Sequence, residues 1–222
     1  MDKAVKRPRR ANASSDRSRA AATTTREHSA KGARTRARLL EAAKSVFERD
    51  GFLNARIADI ADAASVSHGS YYHYFASKEE IFREVAEAQE VTLLAVSSSE
   101  DGSHDPLERI RAANRAYLTA YVESAEIMRV IEEVSRYDDE VRAVRTARDD
   151  EFAERLQASI RRLQAEGHAD SRIEPWYAAN MLGAMVGRFA EMYVRSGTYD
   201  FETTVDQLTL LWANGIGLST PS

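Results

Sequence analysis

Val66-Ser67-His68-Gly69-Ser70-Tyr71-Tyr72-His73-Tyr74-Phe75, followed after Ala76 by Ser77-Lys78-Glu79-Glu80, is the stretch that decides the fold. Ser67 stands where an N-cap belongs, its side-chain oxygen placed to accept from the first free N–H groups of a helix over His68 to Phe75. That helix carries three tyrosines and two histidines in eight residues, a polar and aromatic density suited to contact with something outside the chain. Ser77 and Glu80 form a capping box, Ser at N-cap and Glu at N3, which opens a longer helix through Ile81, Phe82, Val85, Ala88 and Leu93. Upstream, Ile57, Ile60, Ala61 and Ala64 make a two-turn helix that stops at Ser65 and Val66. Before it, Leu39, Leu40, Ala43, Val46 and Phe47 recur at helical spacing from Ala30 onward, and Gly51 supplies the stop. Three helices in under about fifty residues, the second short and the third polar, describe a helix-turn-helix unit.

Downstream of this unit, residues 97–104 (Ser-Ser-Ser-Glu-Asp-Gly-Ser-His) have no periodicity and read as a loop between subdomains. Asp105-Pro106-Leu107-Glu108 restarts a helix with Asp at N-cap and Pro at N1. Helical segments follow near Ala125 to Val134, Asp139 to Glu166, Glu174 to Arg195 and Phe201 to Gly215, punctuated by Gly167, Pro175 and Gly197. No segment alternates with period two over a useful length, so the expected fold class is all-α. The expected organisation is a disordered basic tail over 1–29, a three-helix unit over 30–78, a connecting helix over 79–98 and a second helical domain over 99–222.

Charge is distributed unevenly. The first 38 residues hold twelve Lys or Arg against three acids, about +9, so the rest of the chain is near −13 to reach the formal total of −4. Between Val5 and Leu39 there is no large aliphatic or aromatic residue, which argues against a secretory signal or an export signal behind Arg9-Arg10. The same composition leaves too little apolar surface to offset ordering entropy, hence the expected disorder up to Ser29. No run of about 18 apolar residues suggests a membrane span, and the expected location is the cytoplasm. The absence of cysteine removes disulfides, thiolate metal sites and cysteine nucleophiles.

The pairs Gly51-Phe52, Ile60-Ala61, Val66-Ser67, Gly69-Ser70, Tyr72-His73-Tyr74-Phe75 and Ser77-Lys78 stand in the order and spacing of the TetR/AcrR signature, over Arg34 to Phe82. The chain thus resembles that family of bacterial transcriptional regulators. Two positions depart from it: Arg56 stands where the family commonly has Thr, and Ser65 stands where it commonly has Gly. Ser65 must then adopt a left-handed or strained backbone, or the turn differs. The resemblance implies that His68, Gly69, Ser70 and His73 read base edges or bring the backbone close to DNA. It places Tyr72, Tyr74 and Lys78 at phosphates, and it leaves Arg56 and the capping Ser67 at the same surface. Lys31, Arg34, Arg36 and Arg38 are candidates to neutralise phosphates or to enter the minor groove. Val66, Tyr71 and Phe75 fall on the apolar face and are assigned to the core. His68 and His73, five residues apart, point about 140° away from each other on a helix and are not co-ligands of a metal.

For the second domain, the resemblance implies helices enclosing a small-molecule effector pocket, and a homodimer built by the last two long helices. Pocket candidates are Tyr117, Tyr121, Met128, Ile131, Phe152, Met181, Met185 and Arg188, since flexible Met and amphipathic Tyr suit a mainly apolar ligand with a polar handle. Dimer candidates are Ala178, Ala179, Leu182, Met185, Val186 and Phe189 with Gly183 and Gly187, and Phe201, Val205, Leu208, Leu211 and Trp212, about half of which are expected to be intrachain core. The expected partners are double-stranded operator DNA, an effector and a second copy of the chain, with no cofactor. A small-molecule-modifying enzyme of helical fold is the alternative, but the chain has no GxxxxGK[ST] or HExxH motif, and its acidic clusters match no EF-hand spacing. A nucleoid-type DNA-coating protein is a further alternative that calls for a basic whole chain. Whether regulation is positive or negative stays open at the level of sequence.

Overall fold

The computed structural model describes residues 14–96 and 105–218, and among them the chain is helical and turn, with no strand. The helices are α1 Ser14–Asn54, α2 Ile57–Ala63, α3 His68–Tyr71, α4 Lys78–Val96, α5 Pro106–Glu123, α6 Ala125–Val134, α7 Asp139–Ala165, α8 Pro175–Ser196 and α9 Phe201–Gly215. The expected loop over 97–104, and with it the boundary at 98–99, lies outside the described residues, as does the tail over 1–13. Among the described residues no helix is long and apolar enough to cross a membrane.

Helix α1 starts at Ser14 rather than Ala30, so the described part of the expected disordered tail, 14–29, is continuous helix. From Ser14 to Lys31 the chain has neither Gly nor Pro and includes Ala20-Ala21-Ala22. Once Leu39, Val46 and Phe47 fix the helix by burial, extending it toward the N-terminus adds one hydrogen bond for each residue ordered, and no new nucleus is needed. Gly51 ends the regular run with φ 74° and ψ 169°, a backbone that glycine adopts without steric cost. The chain then turns so that Phe52 joins Phe47 and Phe82 in a ring cluster with centroids 4.9 to 5.9 Å apart.

That cluster, with Leu39, Ile60, Tyr71, Phe75 and Ile81, is the core of a head made by α1 to α3 and the start of α4. Tyr71 is fully buried, and its hydroxyl donates to the Ser77 carbonyl at 2.8 Å. Helix α4 packs against α1 in the head and against α5 and α7 in the body, while α6 packs on α1. Head and body therefore share one continuous apolar core. In the body, α7 packs along α8, and α5 lies against α8 and α9. Side-chain caps fix where these helices begin: Asp105 accepts from Leu107 N–H at 2.9 Å, Asp138 from Glu140 and Val141 at 3.0 Å, and Asp200 from Thr203 at 2.8 Å.

Candidate nucleic-acid interface and ligand domain

Helix α3 is a single α-helical turn, His68–Tyr71, prolonged as a tight turn through Tyr74 and Phe75, whose N–H groups both bond the Tyr71 carbonyl. Tyr71 and Phe75 are its buried face. The opposite face presents Ser67, His68, Gly69, Tyr72 and His73 to solvent, with Tyr72 half exposed at 50% and its ring edge-on to His68 at 5.2 Å. Ser67 Oγ accepts from Ser70 N–H at 3.1 Å and lies 2.9 Å from Ser70 Oγ. These two serines thus hold the start of the helix. Tyr74 is half-buried, its hydroxyl beside Gly32 of α1.

The turn before α3 contains the one described non-glycine residue with positive φ, Ser65 at 53°. This is the left-handed conformation expected of a serine in a glycine position. Arg38 of α1 reaches across to it, donating from Nη2 to the Ala64 carbonyl and, at 3.4 Å, to that of Ser65. Arg36 is likewise engaged, paired with Glu84 and stacked over Phe75, whereas Lys31 and Arg34 are exposed. Lys78, expected at a phosphate, here donates from its ammonium to the carbonyls of Phe52 at 2.8 Å and Ala55 at 3.0 Å, and sits over the Phe52 ring. Arg56 occupies the N-cap of α2 without capping it. Its exposed guanidinium instead forms a two-pronged pair with Asp59 at 2.8 Å, and this hydrogen bonding holds the Asp59 carboxyl below its usual range. Asp59, in the first turn of α2, places negative charge at the N-terminus of that helix.

The ligand candidates divide. Tyr117, Tyr121 and Phe152 gather inside the body, with ring centroids 6.1 and 6.0 Å apart, and Met185 is half-buried against the same core. Met128 and Ile131 are fully buried in the continuous core, on the helix that packs against α1. They close the head onto the body. Met181 and Arg188 point outward: Met181 is 67% exposed, and Arg188 pairs with Glu191 at 2.6 Å. Helical geometry is the reason, because Ala179, Val186 and Ala190 take the inner face of α8 and positions 181 and 188 fall opposite. An apolar groove of about 670 Å³ lies between α4 and α5, lined by Ala95, Val96, Ala112, Arg115, Ala116, Thr119, Ala120 and Glu123. None of the eight candidates lines it.

Sequence reasoning missed a buried ionic cluster where α4, α5, α7 and α8 meet. The Glu90 side chain is 3% exposed and Arg148 is 9% exposed, with Glu90 Oε2 3.2 Å from Arg148 Nε and Oε1 3.9 Å from Arg145 Nε. Arg145 donates to Glu191 at 2.8 Å and to Ser135 Oγ at 3.2 Å, and Arg148 donates to the Tyr117 hydroxyl at 3.0 Å. Burial pushes the Glu90 carboxyl above its usual range, while the Arg148 and Arg145 charges pull the other way. The signal was legible. Glu90 follows Val85 and Ala86 on the apolar face of α4, and Val141, Arg145, Arg148, Phe152, Leu156 and Ile160 form one helical stripe on α7, so charges stand where only apolar residues belong.

The proposed dimer band is mostly intrachain core. Ala178, Ala179, Val186, Val205, Leu208 and Trp212 are buried within one chain, Gly183 faces Phe152 and Gly187 faces Tyr117. The large apolar residues that α8 and α9 leave exposed are Trp176, Tyr177, Met181, Met192, Leu210 and Leu211, of which Leu211 is one of the dimer candidates.

Comparison with known proteins agrees with this geometry. Residues 39–85 match the sequence model of bacterial regulatory proteins of the tetR family, and residues 103–216 match that of the tetracyclin repressor-like C-terminal domain. The transcriptional repressor KstR2 of Mycobacterium tuberculosis is 39% identical over 77 residues, 34% of this chain and 38% of its own length. The regulator YfiR of Bacillus subtilis is 43% identical over 63 residues, 28% of this chain and 29% of its own. The chain thus matches about a third of these relatives' length. Among solved structures, a transcriptional regulator from Rhodococcus superposes with TM-score 0.69 at 22% identity, covering 83% of this chain and 99% of its own. The fatty acid degradation regulator FadR of Bacillus halodurans does so with TM-score 0.70 at 17% identity, covering 83% and 97%. With both domains matched, head and body, the chain belongs to the TetR family of bacterial regulatory proteins.

Proposed function

We propose that the protein is a cytoplasmic one-component transcriptional repressor that binds a near-palindromic operator as a homodimer and leaves it when a small, mainly apolar effector enters the body. The observation that carries this reading is the two-sided build of α3. Tyr71 and Phe75 anchor it in the core, while His68, Gly69, Tyr72 and His73 face outward on an element otherwise too short to stand alone. Two such heads, one per protomer, address successive major grooves about one helical turn apart. The exposed apolar residues of α8 and α9 are the surface on which the two chains pair. Helix α4, packed on both α1 and α7, is the element through which an effector shifts head separation. Effector binding weakens operator affinity only by its differential affinity for the two states, typically about 1–3 kcal/mol.

Selection from a random DNA pool tests the proposal, followed by titration of the winning site with the Tyr72→Ala and His73→Ala proteins. The expected result is an enriched palindrome, with each substitution costing about 1–3 kcal/mol of affinity. A pool that yields no common site overturns it.

A further inference from the structure

The buried cluster of Glu90, Arg145, Arg148 and Glu191 holds two positive and two negative side chains. At its centre both oxygens of Glu90 accept no hydrogen bond, and the Nε groups of Arg145 and Arg148 donate none. Glu90 is nonetheless nearly sealed from solvent, and Arg148 Nε stands only 3.2 Å from it. Glu90 and Arg148 thus pair by charge among apolar rings, next to Tyr117 and Tyr121, without a hydrogen bond that fills the Glu90 oxygens or Arg148 Nε. Groups in that condition are costly unless something bonds them. Charge decides what that can be. The cluster is balanced, and its exposed rim adds one charge of each sign, Asp149 beside Arg148 and Arg188 beside Glu191. A carboxylate entering here must displace Glu90, and an ammonium must displace an arginine; either leaves an uncompensated charge away from water. A hydroxyl displaces neither, because it donates and accepts at once.

We infer that this cluster is the recognition point for the polar end of the effector, and that the effector is an uncharged, hydroxyl-bearing apolar molecule whose O–H donates to Glu90 while its oxygen accepts from Arg148 Nε. The inference rests on the reading of the body as an effector domain. It also gives that reading a handle, since Glu90 rides on α4 and Arg148 on α7, so a group set between them acts on the packing that joins head to body.

The test uses the full chain at about pH 8, well above the ordinary carboxylate range, without DNA. Two scaffolds, naphthalene and n-decane, are each offered as hydroxyl, carboxylate and ammonium forms: 2-naphthol, 2-naphthoate and 2-naphthylmethylammonium; 1-decanol, decanoate and decylammonium. Binding is read by thermal shift and calorimetry. In the wild-type protein the hydroxyl form is expected to bind about tenfold or more tightly than either charged form of its scaffold. Glu90→Gln keeps the side chain's shape but leaves one arginine charge uncompensated, so the carboxylate form becomes the tightest of its set. A charged form binding best to the wild type, an unchanged ranking in Glu90→Gln, or no binding by either scaffold overturns the inference. Should Glu90→Gln fail to fold, the wild-type ranking decides alone. Operator release is measured separately: a hydroxyl probe that binds as expected without weakening operator binding leaves the site standing and overturns the release mechanism.

Discussion

Ser65 and Lys78 show how single side chains set the head. Ser65 holds a left-handed backbone at φ 53°, a conformation that costs an L-residue about 1–2 kcal/mol. Ser65→Gly relieves that cost, less the extra entropy of glycine in the unfolded chain. The expected gain is about 1 kcal/mol, read as a rise of about 2–4 °C in melting temperature. Lys78, expected at a phosphate on resemblance, bonds the carbonyls of Phe52 in the last turn of α1 and of Ala55 just after it. Lys78→Met keeps an unbranched apolar stem and removes the charged donor, which sits over the Phe52 ring, so urea unfolding should show a loss of about 2 kcal/mol. Unchanged stability with a shallower dependence of DNA binding on salt would restore the phosphate role.

At the scale of helices, most boundaries were legible because capping residues are local chemistry: Asp105, Asp138 and Asp200 each start a helix as their side chains dictate. The start of α1 was not legible, because apolar content measures burial and says nothing of how far a helix fixed elsewhere propagates. The two faces of α3 and the turn after it were readable in spacing, Tyr71 and Phe75 inward with Tyr72 and His73 outward. The placement of Met181, 67% exposed, was not, since residue type alone does not say which side of α8 it occupies. The joint between α4 and α7 carries its own prediction. With its carboxyl raised by burial, Glu90 keeps a proton in the folded chain where the unfolded chain has already lost it. Its contribution to stability therefore falls as pH rises from the ordinary value of 4.5 through the folded value, and is constant below that window. Melting temperatures of the wild type and Glu90→Gln, followed upward from about pH 4.5, should diverge in favour of the variant. Parallel curves would mean that Glu90 titrates alike in both states.

For the whole molecule, the proposed pairing surface is the exposed apolar residues of α8 and α9. Met181→Glu and Leu211→Glu place charge on that surface without touching the buried core. Each should convert a dimer to a monomer in sedimentation while leaving the helical circular dichroism intact, and should abolish tight binding to a full palindrome, since two linked heads gain from effective concentration what one head lacks. A dimer that survives both changes pairs through another surface. Basic charge, meanwhile, is gathered at one end of the chain, whose first 38 residues carry about +9 while the rest carries about −13. If the chain binds DNA as proposed, this imbalance along the sequence favours an approach led by its basic N-terminal part.

Arg38, reaching from α1 to the carbonyls of Ala64 and Ser65, is a strut under the turn that leads into α3. It belongs to α1 and not to α3, yet it braces the turn on which His68, Tyr72 and His73 are mounted. Operator preference in such a head can therefore drift through changes in the mounting while every residue of the reading face stays the same. Two regulators with identical recognition helices need not share a target.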